Sequence, residues 1–134
     1  MAKIIDIEGI GPVLSDKLAK VGITTTEKLL ELGASKVGRK SLAANTDISE
    51  NRLLEWVNRA DLYRIKGVGE EFSDLLEAVG VDSPPELAQR RADNLLAAII
   101  ELNDEKHLVN RVPGLAAIEG YIAEAKKLDK IVTH

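Results

Sequence analysis

Among the residues of this chain whose types and spacing could do chemistry, two paired glycines come first. Gly9 and Gly11 frame the turn Ile7-Glu8-Gly9-Ile10-Gly11. From Ile7 to Ile65, 58 residues on, the arrangement returns as Ile65-Lys66-Gly67-Val68-Gly69. Glycines ahead of a helix permit positive φ and close backbone approach, and the unpaired N–H groups at a helix start attract an anion. The chemistry on offer is phosphate binding by main-chain amides. Two groups of cations could assist it: Lys17 and Lys20 just after the first turn, and Lys36, Arg39 and Lys40 in the segment GASKVGRKS.

Other chemistry finds little support. The chain has no cysteine, which removes thiolate nucleophiles, disulfides and cysteine zinc sites. Its two histidines, His107 and His134, are far apart in sequence, so no histidine metal site is expected. The first turn is a poor dinucleotide fingerprint, because Leu14 stands where a third glycine belongs and no βαβ pattern surrounds it. The repeated pairs Ser15-Asp16 and Ser73-Asp74 have no adjacent histidine or second carboxylate cluster to make a nucleophile or a magnesium site. No catalytic residue, cofactor, metal or small-molecule substrate is therefore expected.

The elements that must position the glycine turns form an internal duplication. Beyond the turns, Ser15-Asp16, Leu18, Val21 and Gly22 match Ser73-Asp74, Leu76, Val79 and Gly80. Leu14, Leu18 and Val21, and again Phe72, Leu75, Leu76 and Val79, have the spacing of a short amphipathic helix. Pro12 suits the first helical position, and Glu70 and Glu71 suit the first turn of the second copy. Each helix should end at a left-handed glycine, Gly22 or Gly80, with Ile23 or Val81 packing back. Capping boxes are expected at Thr24 with Glu27 and at Ser83 with Glu86, one residue out of register between copies.

Further on, Leu-Ala-Ala recurs at 42–44 and 96–98. The segments LLEWVNRADLY (53–63) and IEGYIAEAKKL (118–128) align Trp56 with Tyr121, Val57 with Ile122 and Ala60 with Ala125. Their offset is 65, so the second copy carries about seven extra residues, near IIELNDEKHLVNRV. Only residues 3–7, KIIDI, look strand-like. The expectation is a nearly all-helical chain of two halves, 1–63 and 64–134, rigidly juxtaposed. Its core should take Leu14, Leu18, Val21, Trp56, Phe72, Leu76, Val79 and Tyr121.

Composition fits a globular protein of 134 residues, 45% apolar and 30% charged, with no apolar run long enough to span a bilayer. The start MAKIIDIEGIG lacks the features of a secretory signal, so a cytoplasmic location is expected. The net charge of −4 is divided unevenly. Residues 1–66 hold 11 Lys/Arg and 9 Asp/Glu, or +2, and the remainder holds 7 and 13, or −6. The first half is where an anionic partner belongs. The four aromatics, Trp56, Tyr63, Phe72 and Tyr121, sit beside leucines and read as core rather than as a base-stacking platform.

Apolar-x-Gly-apolar-Gly followed by a glycine-ended amphipathic helix resembles the helix-hairpin-helix motif, and the resemblance covers both halves. The chain is also similar to an uncharacterised bacterial family built of such repeats. This resemblance implies an all-α fold in which two helix-hairpin-helix-type repeats pack as a compact helical array, a SAM-like helical bundle. It further implies sequence-nonspecific duplex DNA binding, with Gly9, Ile10 and Gly11 facing a phosphate. Gly67, Val68 and Gly69 hold the equivalent positions, but Glu70 and Glu71 place carboxylates where a phosphate would sit, so the second turn is expected to be structural. The alternative is a protein-interaction module that presents the acidic second half to a basic protein partner.

Overall fold

A computed structural model of the chain describes residues 3–7 and 9–133. The described residues form eight α-helices and no strand, apart from an isolated bridge between Lys3 and Thr25. They divide into two compact helical units: the chain up to Asp61 together with the stretch from Lys130, and Leu62–Asp129. The first contains a 3₁₀ turn (Ile4–Asp6), α1 (Pro12–Ala19), α2 (Thr26–Gly33), α3 (Lys36–Thr46) and α4 (Glu50–Leu62), whose last residue falls in the second unit. The second contains α5 (Glu70–Ala78), α6 (Pro84–Ala88), α7 (Ala92–Lys106) and α8 (Leu115–Lys127). His134, weighed above as a metal ligand, lies outside the described residues.

The duplicated pattern folds into duplicated local geometry. Gly22 and Gly80 have φ of +85° and +93°. After α1, Ile23 N–H donates to Leu18 O (3.0 Å) and Gly22 N–H to Ala19 O (3.0 Å). After α5, Val81 N–H donates to Leu76 O (2.8 Å) and Gly80 N–H to Glu77 O (3.0 Å). These are two Schellman caps, and the apolar pairs that close them, Ile23 with Leu18 and Val81 with Leu76, are wholly buried. Pro12 takes the first position of α1 and Glu70 and Glu71 the first turn of α5, as expected.

The caps of the next helices differ from expectation. Thr25, not Thr24, caps α2, its hydroxyl accepting from Lys28 N–H (3.2 Å). Ser83 caps α6 without a side-chain bond. The caps are then Thr25 and Ser83, 58 residues apart, so the register slip between the copies disappears. Pro85 stands at the second helical position, so one of the two amides from which the Ser83 hydroxyl would accept has no N–H.

Residues 3–7 form no strand. Ile4 and Ile7 are buried while Ile5 is exposed, a spacing of three that suits a 3₁₀ turn rather than alternation. Among the expected core residues Leu18, Trp56, Phe72 and Leu76 are buried, whereas Leu14, Val21, Val79 and Tyr121 are only half-buried. Val21 and Val79 precede the left-handed glycines where the chain turns away, and Leu14 lies in the first turn of α1. The extra length of the second copy resides in α7, 15 residues against 11 in α3, and in the longer connection that follows it. Both connections start with a left-handed residue, Asp47 or His107. A buried polar side chain at the end of each preceding helix then holds the loop. Thr46 Oγ1 accepts from Ile48 N–H, and Asn103 pairs with both main-chain groups of Val109.

The stretch from Lys130 belongs with the first unit rather than the second half assigned to it from sequence. Val132 is buried, and Thr133 N–H donates to Ala34 O at 2.8 Å. A stretch this short and outside any helix has no periodicity by which to announce such a contact.

Candidate nucleic-acid interface

The first glycine turn is built by Ile7 and Ile10, both buried, with Ile10 N–H donating to Ile7 O at 3.1 Å. Gly9 takes φ +93°, in the left-handed region, and is exposed. Gly11 follows in an extended conformation as the N-cap of α1, and having no side chain it leaves the first-turn amides uncapped. Gly11 and Pro12 are exposed, and Val13 is 70% exposed. The second turn repeats this: Val68 N–H to Ile65 O at 3.0 Å, Gly67 at φ +94°, and Gly69 as an extended N-cap.

Beneath each turn lies one aromatic ring. A Cβ built on Gly9 would stand 3.5 Å from Trp56 Nε1, and one built on Gly67 would stand 2.8 Å from Tyr121 Cε1. Trp56 and Tyr121 are the residues that the sequence alignment paired, so the two halves share this support for the turn. Tyr121 also meets Phe72, ring centroids 5.0 Å apart.

The surroundings of the two turns differ in charge. In the first unit Arg52 stacks over Trp56, its guanidinium carbon 5.2 Å from the ring centroid, and is exposed. Arg52 therefore sits beside the first turn although 43 positions separate it from Gly9. Sequence reasoning missed it; the available signal was its place one helical turn before the tryptophan that aligns with Tyr121. Lys17 and Lys20 share the face of α1 that carries Val13, at i+4 and i+7. They stand roughly 7 and 12 Å along the axis from Pro12, at about 1.5 Å per residue. At those offsets they suit flanking phosphates on a strand that runs along α1. Asp6 and Asp16 are exposed on the same segment and oppose an anion.

In the second unit, position 117, which aligns with Arg52, is alanine. Glu124 of α8 accepts from Lys66 N–H at 2.9 Å, so a carboxylate already occupies one amide of that turn. Glu70 and Glu71 stand exposed in the first turn of α5. They line a cavity of about 360 Å³ together with Phe72, Val109, Arg111 and Pro113.

Of the second basic group, Lys36 and Lys40 are exposed on α3, which packs against α2. Arg39 is not on the surface. It is 3% exposed, and its guanidinium donates to Gly33 O (2.8 Å), Ala34 O (3.0 Å) and Thr133 O. It thus ties the end of α2 to the C-terminal tail, and the expectation of a surface phosphate contact at Arg39 is corrected.

The described residues contain no group of three or more His, Asp or Glu placed to hold a metal ion. No helix among them is long and apolar enough to cross a membrane. With this geometry in place, the comparison with protein families is direct: the chain belongs to the family defined by the domain of unknown function DUF4332, whose model matches residues 8–128. No curated protein and no solved structure matches it.

Proposed function

We propose that both glycine turns are helix-hairpin-helix units and that the first binds the backbone of duplex nucleic acid, without sequence preference and without catalysis. The observation that carries this reading is the first turn itself. It has an exposed left-handed Gly9, an N-terminal end of α1 capped only by Gly11, and an exposed Arg52 stacked on the supporting Trp56. Main-chain amides supply the primary phosphate contact, Arg52 a charge beside it, and Lys17 and Lys20 flanking contacts along α1. Pro12 removes one donor, and Asp6 and Asp16 reduce the local positive charge. With two to four contacts the dissociation constant should be ~10⁻⁵ M or weaker at physiological salt.

The second turn serves to hold its unit together, since Glu124, Glu70 and Glu71 supply carboxylates where an anion would approach. A second reading draws on those same residues. The cavity bounded by Glu70 and Glu71 over the apolar Phe72, Val109 and Pro113, with Arg111 also on its wall, offers two carboxylates to a basic protein segment. A gel-shift titration with duplex DNA at low ionic strength separates the two. Lys17→Glu with Lys20→Glu should abolish the shift, and Glu70→Lys with Glu71→Lys should strengthen it. A shift indifferent to both pairs would reject the hairpin mechanism; no shift at all would leave the protein-partner reading in its place.

A further inference from the structure

The buried guanidinium of Arg39 lies on α3 between two exposed lysines, Lys36 at i−3 and Lys40 at i+1. Among the described residues its hydrogen-bond acceptors are main-chain carbonyls: Gly33 and Ala34 from Nη1, Thr133 from Nη2. The carbonyl end of α2 suits a cation on one side. The other side is closed by the segment 131–133. Among the described residues that segment is held by Val132, 3% exposed, by the bonds from Thr133 N–H and Thr133 Oγ1 to Ala34 O, and by Arg39 itself. Ile131 stays exposed.

We propose that residues 131–133 form a displaceable strap over Arg39, and that the Thr133 carbonyl occupies a place on the guanidinium that a phosphate oxygen takes when the strap lifts. Nη1 stays on the α2 carbonyls while the edge bearing Nη2 turns to the ligand. Lys36, Arg39 and Lys40 then act as one three-cation cluster. A charge-assisted bond to phosphate is stronger than one to a neutral carbonyl, so the exchange favours the ligand at Arg39 and costs the burial of Val132. The strap is thereby an autoinhibitory contact on the second basic group. The inference rests on the reading of the protein as a nucleic-acid binder, but it concerns a different surface from the glycine turn.

The test compares duplex DNA binding at low salt by the full chain, by a strap-released variant (Val132→Gly with Thr133→Pro, neutral in charge), and by that variant with Arg39→Gln added. Release should tighten binding at least threefold and steepen its salt dependence, and Arg39→Gln should remove the gain. No gain on release, or a gain that survives Arg39→Gln, overturns the strap. Lys17→Glu with Lys20→Glu in the wild-type chain reports on the hairpin reading separately. If it changes nothing while release still gives an Arg39-dependent gain, the hairpin fails and the strap stands. Should the released variant unfold, hydrogen exchange at the Thr133 amide of the wild-type chain decides the matter. Added inorganic tripolyphosphate should accelerate that exchange, and an unchanged or slower rate overturns the proposal.

Discussion

Substituting alanine at the two equivalent glycines, Gly9 and Gly67, should destabilise the protein unequally. Both residues hold φ above +90°, so each alanine carries the cost of a left-handed L-residue, about 1–2 kcal/mol. At Gly9 the new Cβ meets Trp56 Nε1 at 3.5 Å, an ordinary contact that adds nothing. At Gly67 it meets Tyr121 Cε1 at 2.8 Å and Oη at 3.2 Å, so the ring must move. Overpacking of that kind costs about 1–3 kcal/mol. Gly67→Ala should therefore cost about 2–5 kcal/mol where Gly9→Ala costs about 1–2. Urea unfolding followed by circular dichroism, with hydrogen exchange to assign each loss to its unit, measures both. A double-mutant cycle of Gly67→Ala with Tyr121→Ala isolates the clash, because removing the ring should return the overpacking component of about 1–3 kcal/mol. Equal costs at the two glycines, or strict additivity of Gly67→Ala with Tyr121→Ala, would refute the seating of Tyr121 beneath the second turn.

Three further outcomes follow from the same geometry. Gly22→Val and Gly80→Val should each cost more than ~1 kcal/mol, since a β-branched residue is poorly tolerated at a left-handed cap; unchanged thermal midpoints would place the ends of α1 and α5 elsewhere. Asn103→Ala leaves the buried N–H and C=O of Val109 without their partner and should lower stability by roughly 2–4 kcal/mol, read by denaturant titration. Arg52→Ala should weaken duplex binding severalfold while Arg91→Ala, an exposed cation in the second unit, should leave it unchanged; equal losses in a gel shift would mean that binding follows overall charge rather than the first turn.

Much of the fold was legible because the two copies annotate one another. The glycines at 9, 22, 67 and 80 stand at positions where only one backbone conformation continues the chain, and all four have positive φ. The alignment of Trp56 with Tyr121 was visible as aromatic character at matching places, although their common role beneath the glycine turns needed coordinates. What was not legible depended on contacts remote in sequence. Arg39 looked like a member of a basic cluster because Lys36 and Lys40 flank it, yet its partners are the end of α2 and Thr133, 94 positions away. Arg52 went unnoticed in the sequence, because its stacking on Trp56, the ring beneath Gly9, is a matter of coordinates. Residues 3–7 read as a strand because a five-residue run cannot separate a spacing of two from a spacing of three when three of its members are isoleucine.

The salt dependence of duplex DNA binding, measured by fluorescence anisotropy with one unrelated control sequence, tests phosphate binding at the first glycine turn most directly. Binding through two to four phosphates predicts a slope of log K against log salt of about −2 to −4, the same for both sequences, and a slope shallower by about one for Arg52→Ala. A slope near zero, or a marked preference between the two sequences, would contradict phosphate binding at the first glycine turn.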